Sequence, residues 1–234
     1  RFQTLLGDGA QFGIALQYAV QDEPNGLAEA LLIGETFLNG SPSTLILGDN
    51  IFYGFGLVDR LAAADTSPGA TIFGYRVHDP ERYGVIEFDE SKNAVSLEEK
   101  PTRPKSQYAA TGLYFYDAHA PDYARQLIPS ARGELEITDL NRCYLDAGNL
   151  GVQLLQRGTA WLDTGTVESL MQAAQFVEAI QTRQGTVIAC LEEIALASGW
   201  IAPAEIASRI DRLGKGPYAT YLKTLLITGA SHAD

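Results

Sequence analysis

Thr44-Leu45-Ile46-Leu47-Gly48-Asp49-Asn50 is a short apolar run that stops on a glycine and two polar residues. A continuous run of this length, bounded by turn formers, reads as a strand buried on both faces of a parallel sheet. Ligands of open α/β sheets bind beyond the carboxyl ends of such strands, so Asp49 stands where a ligand would sit. The same aspartate also suits a tight turn or a helix N-cap.

Working outward, the chain keeps an alternating rhythm of strands and helices. Upstream, Phe2, Leu5 and Leu6 before Gly7-Asp8-Gly9 read as the last turn of a helix and its glycine stop. Ile14, Leu16, Tyr18 and Val20 alternate with Ala15, Gln17 and Ala19, which predicts a strand; Asn25-Gly26 then opens a helix ending near Asn39-Gly40. Downstream, a helix over 57–64 and a strand over 71–77 continue the pattern of a doubly wound sheet. Three strand-like runs, 84–88, 94–97 and 108–116, follow with only turns between them and predict an antiparallel insertion. Helical patterns over 121–128 and 137–146, a strand over 152–155 and the run Trp161-Leu162-Asp163-Thr164-Gly165 complete this part. From Glu168 the spacing is helical, and the tail over 188–228 falls into three helical blocks separated by Gly199, Pro203 and Gly214-Lys215-Gly216-Pro217. The expected fold is α/β: a mostly parallel sheet, an antiparallel insertion and a small helical C-terminal element, divided as 1–185 and 186–234.

Composition narrows the function classes. Of the 234 residues 46% are hydrophobic and 20% charged, which suits a packed globule rather than a disordered chain. A net charge of −12 disfavours nucleic acid and anionic membranes as partners, and an anionic substrate would need local cations. No apolar run reaches the roughly 18 residues of a membrane span, and the first residues do not resemble a signal peptide, so a cytoplasmic location is expected. Cys143 and Cys190 lack metal-like spacing and read as ordinary thiols of a reducing compartment.

Asp163, like Asp49, closes a short apolar run, and Trp161 beside it offers a ring to wall a pocket. Two carboxylates at strand ends suit Mg²⁺, which takes one or two carboxylates plus phosphate oxygens; His78, His119 and His232 form no cluster with the cysteines that would suit zinc or iron. Glu98-Glu99-Lys100-Pro101 reads either as a solvated loop or as carboxylates for sugar hydroxyls beside a point charge for a phosphate. Tyr83-Gly84 and Thr111-Gly112 place glycines where a backbone can approach a ligand, or simply mark bends.

Taken in order, Leu47-Gly48-Asp49-Asn50 with Tyr53-Gly54, Pro80-Glu81-Arg82-Tyr83-Gly84-Val85, Glu98-Glu99-Lys100-Pro101, Gly133-Glu134-Leu135-Glu136-Ile137-Thr138-Asp139 and Trp161-Leu162-Asp163-Thr164-Gly165 resemble the glucose-1-phosphate thymidylyltransferases. The resemblance runs the length of the chain and implies a Rossmann-like fold with a sugar-binding antiparallel insertion. It implies that Asp49 and Asp163 hold Mg²⁺ and that Lys100 holds the sugar phosphate, these three being the catalytic set. Tyr83, Gly84, Glu99, Thr111 and Gly112 would line or adjoin the sugar pocket, Gln21 and Gly26 would meet the nucleoside, and Arg132 would make a second sugar-phosphate contact. The implied reaction joins dTTP and glucose 1-phosphate into dTDP-glucose and pyrophosphate, supplying deoxysugar and rhamnose biosynthesis, in a homotetramer under feedback from a downstream dTDP-sugar.

One departure shapes a further expectation. Members of the family open with a strand and a Gly-Gly-x-Gly-Thr-Arg-Leu loop for the triphosphate, followed by a lysine; these 234 residues contain no such stretch, begin with Arg1 and have Met171 as their only methionine. The chain is therefore expected to be N-terminally incomplete by more than the roughly 30 residues of a βαβ unit, and poorly active and unstable alone. Three other readings stay open: a UTP-using pyrophosphorylase, a non-catalytic nucleotide-sugar-binding subunit, and a glycosyltransferase. Against the last, an Asp-x-Asp strand end is replaced here by Asp49-Asn50-Ile51.

Overall fold

The structure is a computed structural model that describes residues 1–64 and 68–228; His232 lies outside the described residues. Two compact units emerge, 19–165 and a second formed by 1–18 with 166–234. This cut differs from the 185/186 boundary read from the sequence. The sequence boundary follows the end of a long helix, α7 (Val167–Gln184), whereas compactness groups that helix with the C-terminal ones.

The second unit is helical. Besides α7 it contains α1 (Phe2–Leu6), α8 (Leu191–Ala197), α9 (Pro203–Leu213) and α10 (Pro217–Thr228). Thr166 caps α7 by accepting from the Ser169 N–H, while the Ser169 hydroxyl receives the Thr166 N–H. Phe12, Cys190, Ile201, Ile206, Ile210, Leu222 and Leu225 form its core. Glu192, buried beside that core, is compensated by Arg209 Nε at 2.9 Å and by the Tyr218 hydroxyl, as a buried carboxylate requires.

The unit over 19–165 contains α2 (Glu29–Ile33), α3 (Glu35–Leu38), β1 (Ser43–Ile46), β2 (Asn50–Tyr53), α4 (Leu57–Ala62), β3 (Ala70–Arg76), β4 (Gly84–Phe88), β5 (Ala94–Glu99), β6 (Tyr108–Tyr116), α5 (Ala120–Gln126), α6 (Ile137–Asp146), β7 (Leu150–Leu154) and β8 (Ala160–Asp163). It is a mixed α/β fold. Strand β3 runs parallel to β7, and β6 is antiparallel to both β1 and β3, so β1, β3 and β7 share one direction. The antiparallel insertion is present as β4, β5 and β6. Strands β2 and β8 form a separate antiparallel ribbon.

Strand β6 organises the site. Along one edge it pairs with β3. Along the other it pairs first with β4, through Ala109 and Tyr108, and then with β1, through residues 113–116. The two partners diverge between these stretches, and Ala110 and Gly112 are left at the fork. Side chains alternate across a strand, so even-numbered β6 residues share one face with Tyr114 and Tyr116, and odd-numbered residues the other. The larger core, including Ile72, Ile86, Tyr114, Tyr116, Leu140 and Tyr144, lies on the first face. A smaller cluster of Phe73, Leu113 and Leu155 lies on the second.

Within the larger core Tyr116 is fully buried and its hydroxyl donates to Asn141 Oδ1 at 2.7 Å. Burial, reinforced by the neighbouring Tyr114 and Tyr144, pushes its ionisation well above the usual phenol range, so it remains a donor. Tyr116→Phe leaves the Asn141 carbonyl without that donor, and is expected to cost about 1–2 kcal/mol in a urea unfolding series. An unchanged midpoint would assign the pair no net role.

Three sequence expectations are corrected. Residues 14–20 form no strand: Leu16 N–H bonds to Asp8 O at 2.7 Å, but among the described residues no strand pairs with this segment. Alternation supplies a face, whereas a strand also needs a neighbour's hydrogen bonds. Strand β1 is not buried on both faces: Ser43 and Leu45 are half-buried on one face while Thr44 and Ile46 are exposed on the other, and among the described strands only β6 pairs with it. The single helix expected up to Asn39 is divided at Gly34 into α2 and α3.

Candidate active site

The fork beside β6 opens into a cavity of about 190 Å³. The β2–β8 ribbon brings two carboxylates to one end: Asn50 is register partner of Asp163, and the Thr164 N–H and hydroxyl both reach Asp49 O at 2.9 Å. The β4–β5 hairpin delivers the opposite wall, because Gly84 pairs with Glu99 and the Lys100 N–H donates to Tyr83 O at 3.0 Å. Lys100 adopts a left-handed backbone, φ 43°, directly before Pro101. That conformation is uncommon for a lysine and turns the chain sharply off the strand end.

Of the residues singled out in the sequence, Asp49, Tyr83, Gly84, Glu99, Lys100, Gly112 and Asp163 all line this one cavity. Glu99 Oε2 accepts from Thr138 Oγ1 at 2.6 Å, which fixes the carboxylate at the start of α6. A Cβ at Gly84 would lie 2.9 Å from that same threonine oxygen, so glycine is what the packing allows there. Tyr83 stacks obliquely on Trp161 with ring centroids 5.1 Å apart, and burial raises its ionisation above the ordinary phenol value.

The remaining sequence candidates lie elsewhere. Thr111 is fully buried on the odd-numbered face of β6, away from the cavity, and its hydroxyl has no hydrogen-bond partner among the described residues. The lining at this point comes from its neighbours Ala110 and Gly112. Gln21 donates to Gly26 O at 3.0 Å and to Glu29 Oε2 at 2.5 Å; hydrogen bonds from Asn25 and Gln21 hold the Glu29 carboxyl below its usual range. At Gly26, φ 103°, a Cβ would fall 2.4 Å from Leu135 O, so close packing of two backbones demands this glycine. Arg132 is clamped by Glu136, through Nε at 3.1 Å and Nη2 at 2.8 Å to both carboxylate oxygens, and lies 3.6 Å from Glu99.

The cavity also contains residues given no separate role in the sequence reading: Asn50, Arg82, Thr138 and the apolar Leu27 and Leu47. Arg82 bonds Asp79 at 2.9 Å and approaches Asp163 Oδ2 at 3.9 Å; the Asp79 bond, the Tyr83 phenol and the Asp163 charge all favour its charged form. Its place immediately before Tyr83-Gly84 was the only available signal. The lining therefore carries three carboxylates, Asp49, Glu99 and Asp163, against two cations, Arg82 and Lys100. This balance suits a divalent cation that shares its ligands with an anionic substrate, since among the described residues, this cavity included, no group of three or more His, Cys, Asp or Glu could hold a metal ion by itself.

The sequence model of the nucleotidyl transferase family matches residues 1–180. The chain belongs to the nucleotidyl transferase family. Within the family it is 58% identical over 232 residues to the glucose-1-phosphate thymidylyltransferase of Xanthomonas campestris pv. campestris strain B100, covering 99% of this chain and 79% of that protein. The enzyme of the same name from Neisseria gonorrhoeae is 58% identical over 226 residues, covering 96% and 78%. A solved structure from Bacillus anthracis, described as a candidate glucose-1-phosphate thymidylyltransferase in complex with sucrose, is 40% identical with a TM-score of 0.67 over 74% of this chain and 70% of that one. A UDP-glucose pyrophosphorylase bound to UDP-glucose, 22% identical with a TM-score of 0.60 over 70% of this chain and 66% of that one, shares the nucleotidyl transferase fold.

Proposed function

We propose that the chain transfers a thymidylyl group from dTTP to glucose 1-phosphate, releasing pyrophosphate and forming dTDP-glucose. The observation that carries this reading is the convergence of Asp49, Lys100 and Asp163 on a cavity walled by Glu99, Gly84 and Gly112, in a chain 58% identical to thymidylyltransferases. A phosphate oxygen of glucose 1-phosphate attacks the α-phosphorus of dTTP; a new P–O bond forms as the bond to the β-phosphate bridge breaks, and pyrophosphate leaves with that electron pair. No covalent intermediate is needed, because the sugar phosphate is already an anionic nucleophile.

In this reading the residues align and neutralise rather than exchange protons. Lys100 supplies a point charge to the sugar phosphate, and Glu99, held by Thr138, accepts from sugar hydroxyls. Asp49 and Asp163 would hold Mg²⁺, which would offset the charge of the phosphates. Gln21 and Gly26 are assigned to the nucleoside and Arg132 to the rim of the sugar site, beside Glu99. Thr111 would contribute through its backbone, since its side chain faces away. Among the described residues no helix is long and apolar enough to cross a membrane. A cytoplasmic homotetramer acting in deoxysugar biosynthesis, with feedback by a downstream dTDP-sugar, completes the proposal.

The test is pyrophosphate release from dTTP and glucose 1-phosphate with Mg²⁺, with UTP run in parallel. It is made on the chain alone and on the chain joined to the residues by which the Xanthomonas relative exceeds it. Release that prefers dTTP in either form supports the reading. Binding of dTDP-glucose with no release from either form would instead favour a nucleotide-sugar-binding subunit.

A further inference from the structure

Three parts of the cavity meet at one amide. Asn50 Nδ2 donates to Asp49 Oδ1 at 2.9 Å, while Asn50 Oδ1 accepts from Trp161 Nε1 at 2.6 Å and from the Gly112 N–H at 3.1 Å. The partners dictate which way round the amide lies, because the indole and the backbone N–H can only donate and the ionised carboxylate can only accept. Neither near-isostere can replace it: aspartate lacks the donor and would set a second carboxylate against Asp49, and leucine lacks both functions. Close packing holds the amide in place. A Cβ at Gly112 would lie 2.6 Å from Asn50 Oδ1, and the Asn50 backbone is pinned by its N–H to Leu47 O at 3.2 Å and by pairing with Asp163.

We infer that Asn50 is a positioning residue that ties the metal-side carboxylate Asp49 to the sugar-side wall formed by Trp161 and Gly112. The inference rests on the role given to Asp49 in the proposed function and on the place of Trp161 and Gly112 in the lining of the same cavity, and adds that one side chain orients both the carboxylate and the indole. A rotation of Asp49 toward a cation and a tilt of the indole are then linked events, since either one moves the shared amide. Asn50 itself need contribute no charge to the reaction.

The test separates the two ends of the joint. Protein labelled with ¹⁵N at tryptophan gives indole signals from Trp161 and Trp200, distinguished through Trp200→Phe. Asn50→Leu is expected to move the Trp161 Nε1–H resonance upfield as its acceptor is lost, and Asn50→Asp, which keeps an acceptor oxygen, to leave it hydrogen-bonded. Asn50→Leu is also expected to raise the Mg²⁺ concentration for half-maximal pyrophosphate release about 10–100-fold, the usual cost of removing a group that orients a metal ligand. Trp161→Phe removes one of the two donors to Asn50 Oδ1 and is expected to weaken dTDP-glucose binding and to raise the Mg²⁺ requirement, but by less than Asn50→Leu does, because the amide keeps its bonds to Asp49 and to the Gly112 N–H. A merely structural role would shift all these readouts together with thermal stability. An unmoved Trp161 resonance in Asn50→Leu overturns the joint whatever the activity. If the parent protein releases no pyrophosphate, the functional reading falls separately, and the joint is judged by the indole shift and by a matching loss of Mn²⁺ affinity measured through water proton relaxation.

Discussion

Asp163→Asn is expected to lower the rate of pyrophosphate release by at least about 10³-fold at saturating nucleotide, with little change in folding. The asparagine keeps an oxygen for the Gly165 N–H, which bonds Asp163 Oδ1 at 2.9 Å, so the turn after β8 survives. What is lost is the charge on the other oxygen, Oδ2, which lies 3.9 Å from Arg82. Without it the lining has two carboxylates against two cations and no longer favours a divalent ion over the protein's own side chains. Raising Mg²⁺ should recover part of the rate, as mass action opposes a weakened site. The measurement is a magnesium titration of wild type and variant with matched unfolding curves. A loss under about tenfold, with no shift in the Mg²⁺ dependence, would remove Asp163 from the metal assignment.

The lining of the cavity was legible where its residues fall in short contiguous motifs. The β4–β5 hairpin runs from Gly84 to Glu99, so one stretch of chain supplies both ends of one wall of the cavity. Strand β6 and helix α6 took the bounds that alternation and helical spacing assigned them, because each has a clear apolar face. Strand β2 was less legible. Four residues paired only with a strand more than a hundred positions away leave no local period. The same distance hides Asn50: nothing near it in sequence announces Trp161 or Gly112, its partners in space. Thr111 shows what a motif leaves out: it names two adjacent residues, and strand parity turns the side chain of only one of them toward the cavity face. The exposed residues of β1 and the unpaired segment over 14–20 mark a further limit, since apolar patterning identifies candidate strands but does not supply their neighbours.

Gly26→Ala is expected to destabilise the unit over 19–165 by roughly 3–5 kcal/mol, from a strained dihedral, a backbone overlap and weakened hydrogen bonds together. At φ 103° an alanine is outside the regions open to residues with a Cβ. The new methyl would also lie 2.4 Å from Leu135 O and 2.5 Å from Leu135 N, and backbone atoms cannot turn aside as a side chain can. Relieving the overlap means separating two segments now joined by Leu135 N–H to Asn25 O at 2.6 Å and Ala28 N–H to Leu135 O at 3.1 Å. Those bonds anchor the loop that carries Gln21's partner carbonyl and set Leu27 at the cavity. The change should therefore weaken dTDP-glucose binding as well as lower the urea midpoint. Gly40→Ala is the control: its φ is 70° and no atom lies within 4 Å of the added carbon, so only the dihedral cost of about 1–2 kcal/mol applies. If the two variants lose the same stability, the close approach of Leu135 does not constrain Gly26, and only the dihedral cost remains.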